Sequence, residues 1–201
     1  MSVEPRWARP LDLVAKALFV ACCLWIWLHL GDPQYADKGF DSRLIGYPIG
    51  VLLVPIGWWI AQVRTRRKIA YPWLADALIT LPFVTDLLGN IFDLFDTVAV
   101  FDDVLHFLNW FLLAGGIGAL LLRSRLSPGG IFAAVIAFGA AAAILWEGGE
   151  WLTFIRFGTE LNTAYQDTLL DEHLGLLGAT LAAIGMYFLA KRRPTPVAAQ
   201  R

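Results

Sequence analysis

Residues 104–122 read VLHFLNWFLLAGGIGALLL, nineteen positions without one Asp, Glu, Lys or Arg. As a helix rising about 1.5 Å per residue, this stretch is about 28 Å long. The hydrocarbon core of a bilayer is roughly 30 Å thick. Working outward, the windows Leu11–Leu30, Leu44–Val63 and Tyr71–Asn90 precede it. A window from Gly130 to about Thr153 and another over Asp171–Ala190 follow. The sequence therefore predicts an all-α fold, a polytopic transmembrane bundle of six spans. Residues 1–190 form one membrane domain in this reading, and residues 191–201 a polar tail.

Composition agrees. The chain of 201 residues is 58% hydrophobic and 16% charged, with mean hydropathy +0.60. A water-soluble domain of this size usually carries about 25% charged residues, so much of this surface must face lipid. No small-residue cleavage site follows the first window, which is expected to stay as an anchor rather than be removed as a signal peptide. The adjacent Cys22 and Cys23 lie inside an apolar run and read as packing residues.

Charge asymmetry orients the spans. With the N-terminus inside, the inner segments hold Arg6, Arg9, Arg64, Arg66, Arg67, Lys68, Arg123, Arg125, Lys191, Arg192, Arg193 and Arg201. The outer segments hold only Lys38, Arg43 and Arg156, and Lys16 lies near the inner end of the first span. Cytoplasmic loops carry the excess of Lys and Arg, so both termini are expected in the cytoplasm of a bacterial inner (plasma) membrane protein. Eight tryptophans, Trp25, Trp27, Trp58, Trp59, Trp73, Trp110, Trp146 and Trp151, mostly fall near predicted span ends and read as interfacial belts.

The acids sort the other way. Of 17, only Glu4, Asp12 and Asp76 fall on the inner side. Asp86 lies about 22 Å into the third span and Glu147 about 25 Å into the fifth, counted from their inner ends. Asp102 and Asp103 share a helical face with His106, three and four residues on. Glu147 and Glu150 are neighbours on one face. Asp167 and Asp171 continue inward as a stripe through Gly175, Gly178 and Ala182, small residues that let another helix approach. Ionisable groups within spans are functional candidates by default. The expected site is an outward-facing pocket built from Asp102, His106, Glu147, Glu150, Asp167 and Asp171, with Asp86 and Asp103 as further members. Asp37, Asp93 and Asp96 read as solvated helix ends, and His173, about 200° round the helix from Asp171, as a packing or interface residue.

Three elements carry a family likeness. Phe101-Asp102-Asp103-Val104-Leu105-His106-Phe107 resembles the D-x-x-x-H-F element of the YjdF-like bacterial inner-membrane proteins, Trp146-Glu147-Gly148-Gly149-Glu150-Trp151 their E-x-x-E-W element, and Asp167-Thr168-Leu169-Leu170-Asp171 with Gly178-Ala179 their D-T-x-x-D…G-A element. The likeness covers residues 101–179. It implies a membrane protein and marks Asp102, His106, Glu147, Glu150, Asp167, Thr168 and Asp171, but it brings no activity with it. Acidic Asp103 departs from the basic residue expected there. A weaker likeness to the VanZ-like membrane proteins suggests a cell-envelope setting.

Three functions suit such a pocket. Carboxylates with one imidazole fit a divalent cation such as Mg²⁺, Mn²⁺ or Zn²⁺, acting on or binding a lipid-linked or envelope-precursor substrate, with Glu147 or Glu150 as base. Alternatively, the acids relay protons or cations through a transporter or channel. In the third reading the protein is structural, its acids paired with protons, Arg43 or Arg156. No phosphate loop or nucleophilic triad is present, and Gly115-Gly116-Ile117-Gly118 lies inside a span. The basic residues read as topology determinants, so nucleic acid is not an expected partner; the bilayer is.

Overall fold

A computed structural model describes residues 4–36, 38–153, 155–157 and 159–193. Every long element among them is helical: α1 Ala8–Leu28, α2 Phe40–Thr65, α3 Trp73–Ile91, the single turn α4 Leu94–Thr97, α5 Phe101–Leu121, α6 Pro128–Thr153 and α7 Ala164–Lys191. Short 3₁₀ turns fill Pro33–Tyr35, Ile155–Phe157 and Thr159–Asn162. All but α4 are long and apolar enough to cross a membrane.

Local chemistry explains several boundaries. Pro128 occupies the first position of α6, where no N–H is needed, and Ser127 Oγ accepts the Gly130 amide at 3.1 Å. Helix α7 begins at Ala164, seven residues before the apolar window at Asp171. Its first turns are too polar for a hydropathy window, yet they stay helical. Helix α5 likewise begins at Phe101, so Asp102 and Asp103 lie in its first turn, where carboxylates oppose the positive end of the helix dipole.

Helix α3 is the centre of the bundle. It packs along α1, α2 and α5, while α5 packs along α7, and α7 along α6. The two halves have different cores. Around α1–α3 the core is bulky, with Phe19, Ile26, Tyr47 and Leu87. Around α5–α7 it is built of Ala114, Ala179, Ala182 and Ala183 with Ile131 and Val135. Small residues there allow close approach, as membrane helices require. A Cβ on Gly178 would overlap the Phe107 carbonyl of α5, and one on Gly139 would overlap the Ala179 side chain.

The end of the bundle rich in Lys and Arg is braced by side chains. Arg193 donates to the carbonyls of Leu122, Ser124 and Leu126 at 3.0, 3.1 and 2.9 Å, tying the end of α7 to the α5–α6 loop. The outward surface is apolar: Ile45, Leu145 and Leu152 are exposed. Trp25, Trp27, Trp59 and Trp151 are exposed as belt residues should be, but Trp110 is not one of them. It is buried against Gly175, because α7 offers it a gap where a side chain is missing.

Candidate functional site

Two turns in from the acid-rich ends of α5, α6 and α7, three helices bring charged groups into contact. His106, in the second turn of α5, is the hub. Its Nδ1 is 2.8 Å from Asp171 Oδ1 on α7 and 3.5 Å from Asp102 Oδ2 one turn back on α5. Its Nε2 faces Glu147 Oε1 on α6 at 3.7 Å. Glu147 and Asp171 are buried, and Thr168 stands within hydrogen-bonding reach of Glu147. The 2.8 Å contact is that of an ion pair when the imidazole is protonated. Among the described residues, His106 Nδ1 and Asp171 Oδ1 are both buried without a hydrogen-bond partner.

Two sets of donor atoms, each within 4.8 Å of one another, result: Asp102, His106 and Asp171, and His106, Glu147 and Glu150. The close approach of α5 and α7 makes the first possible, since Gly175 and Gly178 leave α7 no side chains to hold α5 away. Asp167, one turn further out on α7, belongs to neither set, nor does Asp103.

Asp86 takes another role. Arg43, near the start of α2, donates from Nη1 to both carboxylate oxygens of Asp86 at 2.9 and 3.0 Å, and the Tyr47 hydroxyl donates to Oδ2 at 2.8 Å. Arg43 Nη2 is also 3.8 Å from Glu150 Oε1. Glu150 thus joins the histidine hub to an arginine hub. Asn90 completes this side by donating to the Asp86 carbonyl oxygen at 3.0 Å. In the sequence Arg43 stands out only as a base in an acid-rich half; Tyr47 and Asn90 carry no signal there.

A cavity of about 380 Å³ lies between the two hubs. Arg43, His106, Asp102, Asp171 and Glu150 contribute its polar wall, and Phe83, Phe95, Trp110 and Trp146 its apolar one. Its floor reaches Pro82 and Leu113, near the middle of α3 and α5. At the rim, Lys38 pairs with Asp96, and this hydrogen bond holds the Asp96 carboxyl below the usual range. His173 is exposed and bonds to the Leu169 carbonyl of its own helix, away from the hub.

Fold and site define a class: a six-span helical membrane protein with a buried carboxylate–histidine cluster beside a cavity. The chain belongs to the family described as predicted membrane protein DUF2238, the YjdF family, which it matches over residues 11–192. No curated protein and no solved structure matches it.

Proposed function

We propose that this protein holds a divalent cation at the outer face of the bacterial inner membrane and uses it on a lipid-linked or envelope substrate. The observation that carries the reading is the close approach of two buried atoms able to ligate a metal, His106 Nδ1 and Asp171 Oδ1, 2.8 Å apart. Two ligands about 2.0–2.1 Å from one ion in neighbouring octahedral positions, the geometry of Mg²⁺, lie about this far apart. Asp102, 3.5 Å from the same nitrogen, completes a set of two oxygens and one nitrogen suited to Mg²⁺, Mn²⁺ or Zn²⁺. A buried group of acids also needs positive charge, since an uncompensated charge inside a protein costs several kcal/mol.

The two ring nitrogens divide the work. Nδ1 would hold the cation, while Nε2 is turned toward Glu147, as metal-binding histidines commonly present their second N–H to a carboxylate that fixes the ring. Glu150, between this set and Arg43, would act as base. When bound, the cation supplies Lewis acidity toward an ester or phosphate oxygen. Arg43 and Lys38 in the same cavity supply donors for an anionic headgroup, and the aromatic wall suits an attached hydrocarbon. The excess of Lys and Arg at the opposite end supports cytoplasmic termini and an outward-facing cavity.

Elemental analysis of the purified protein tests this. About one divalent ion per chain is expected, falling to background in His106→Ala and Asp171→Asn and reduced in Glu147→Gln. A wild-type chain that binds no ion, and whose thermal stability a chelator does not change, would refute it.

A further inference from the structure

Five long helices ring the outer cavity in the order α2, α3, α5, α7, α6, each lending it residues. Neighbours in this ring pack along one another from α2 round to α6. The closing pair does not. Among the described residues, α2 and α6 run without packing along each other.

Side chains close the gap instead. The Tyr47 ring of α2 stacks on the Trp146 ring of α6 with centroids 6.0 Å apart, and Arg43 Nη2 reaches Glu150 Oε1 at 3.8 Å. All four residues also line the cavity, so here its wall is a single layer of side chains. The two sides of the closure differ in firmness. Arg43 and Tyr47 are held to Asp86 of α3 by three hydrogen bonds of 2.8–3.0 Å. Trp146 is only partly buried, and two glycines, Gly148 and Gly149, follow it within two turns. Glycine loosens a helix, so α2 is the post and Trp146 the leaf.

The outside of this wall faces lipid. Ile45 on α2 and Leu145 on α6 are exposed, and a Cβ on Gly46 or Gly149 would meet nothing. Trp146 lies about 27 Å along α6 from Pro128, which in a core of roughly 30 Å is the level of the outer acyl chains. The aqueous rim is bridged by charge: Lys38 pairs with Asp96 and stands 3.7 Å from Asp93, tying the α1–α2 loop to α4. A cavity of about 380 Å³ takes a head group and the start of a chain, not a whole two-chain lipid. The rest of such a molecule has to stay in the bilayer, and only the α2–α6 side lets it.

We propose that the crevice between α2 and α6 is a side entrance through which a lipid with an anionic phosphate head slides in from the outer leaflet, Trp146 turning off Tyr47 to admit one hydrocarbon chain. The head comes to rest by Arg43, and the chain lies along Phe83 and Trp146. This names the substrate class of the cavity and rests on the reading of it as a substrate site, but the entrance itself does not need the cation.

Photolabelling in phosphatidylcholine nanodiscs tests it, with phosphatidic acid carrying a diazirine midway along one chain as the probe. Label is expected on Phe83 or Trp110, which line the cavity, besides the exposed residues that any surrounding lipid reaches. Unlabelled phosphatidic acid should compete for the cavity positions, and soluble glycerol phosphate should not. Trp146→Ala should speed their labelling several-fold, whereas Trp146→Phe, which keeps a ring on Tyr47, should stay near the wild type. Label confined to exposed residues such as Ile45 and Leu145 overturns the proposal. Equal competition by glycerol phosphate does too, since the ligand is then water-borne, and so does a rate that Trp146→Ala leaves unchanged. Chelator separates the two readings: cavity labelling should persist in it, and a chain that labels there but binds no metal keeps the entrance and loses the cation.

Discussion

Helix α3 meets an arginine at one end and a lysine at the other, while α5 offers its acids only a histidine. Asp86 is answered by Arg43 and Asp76 by Lys16, both cations carried by neighbouring helices. Asp102, Glu147 and Asp171 surround His106, whose imidazole is a cation only when protonated. The first two clusters bring much of their counter-charge with them. The third has room for charge from outside, and that makes it the candidate for chemistry.

The sharpest way to break this contrast is to remove the permanent cation. Arg43→Met leaves Asp86 buried with only the Tyr47 hydroxyl, and loss of one partner from a buried pair costs about 3–5 kcal/mol. Unfolding in detergent should register that loss with and without chelator. His106→Ala should behave otherwise, its cost appearing mainly as a lost response to metal. For the wild type, a divalent cation at a hundred times its Kd should add about 2.7 kcal/mol of stability. Titration calorimetry and melting in the presence of the metal should show this increment, and it should vanish in His106→Ala.

A smaller effect sharpens the role of helix approach. Gly178→Ala puts a methyl against the Phe107 carbonyl and forces α5 from α7, at about 1–3 kcal/mol for overpacking. Because the same approach carries Asp171 to His106, metal affinity should fall too. The matching change at Gly148, which has nothing within 4 Å, should leave both unchanged. The smallest effect belongs to the rim. Lys38 lowers the pKa of Asp96 in the folded state, so the pair stabilises above the ordinary carboxylate range and that contribution fades as pH falls through the lowered value. Asp96 is 59% exposed, and exposed pairs contribute about 0–1 kcal/mol. Asp96→Asn should therefore shift the melting temperature only slightly at neutral pH and not at all in acid.

Much of the site could be read before any coordinates. His106 and Asp102 are one turn apart on a single helix, so their alliance follows from the period of the α-helix. The exclusion of His173 follows from the same period. Asp86 is different. Its distance from the membrane surface could be counted, but its choice of Arg43 over His106 could not, because that depends on which helix lies beside α3. Trp110 shows the same limit. Its place in the sequence suggests an interface, and the missing side chain of Gly175, 65 residues later, buries it instead. Arg193 looks like one more topological charge until the carbonyls of the α5–α6 loop are found around it.

By itself the sequence determined that this chain is six apolar helices with bases gathered at one end and acids at the other. Hydropathy and helical period are properties of consecutive residues, and a bilayer filters them one segment at a time. Only the tertiary structure decided which acid meets which base. Charges lying 43 or 60 positions apart are brought together by helix packing, and that packing is set by small residues on facing helices rather than by anything near the charges themselves.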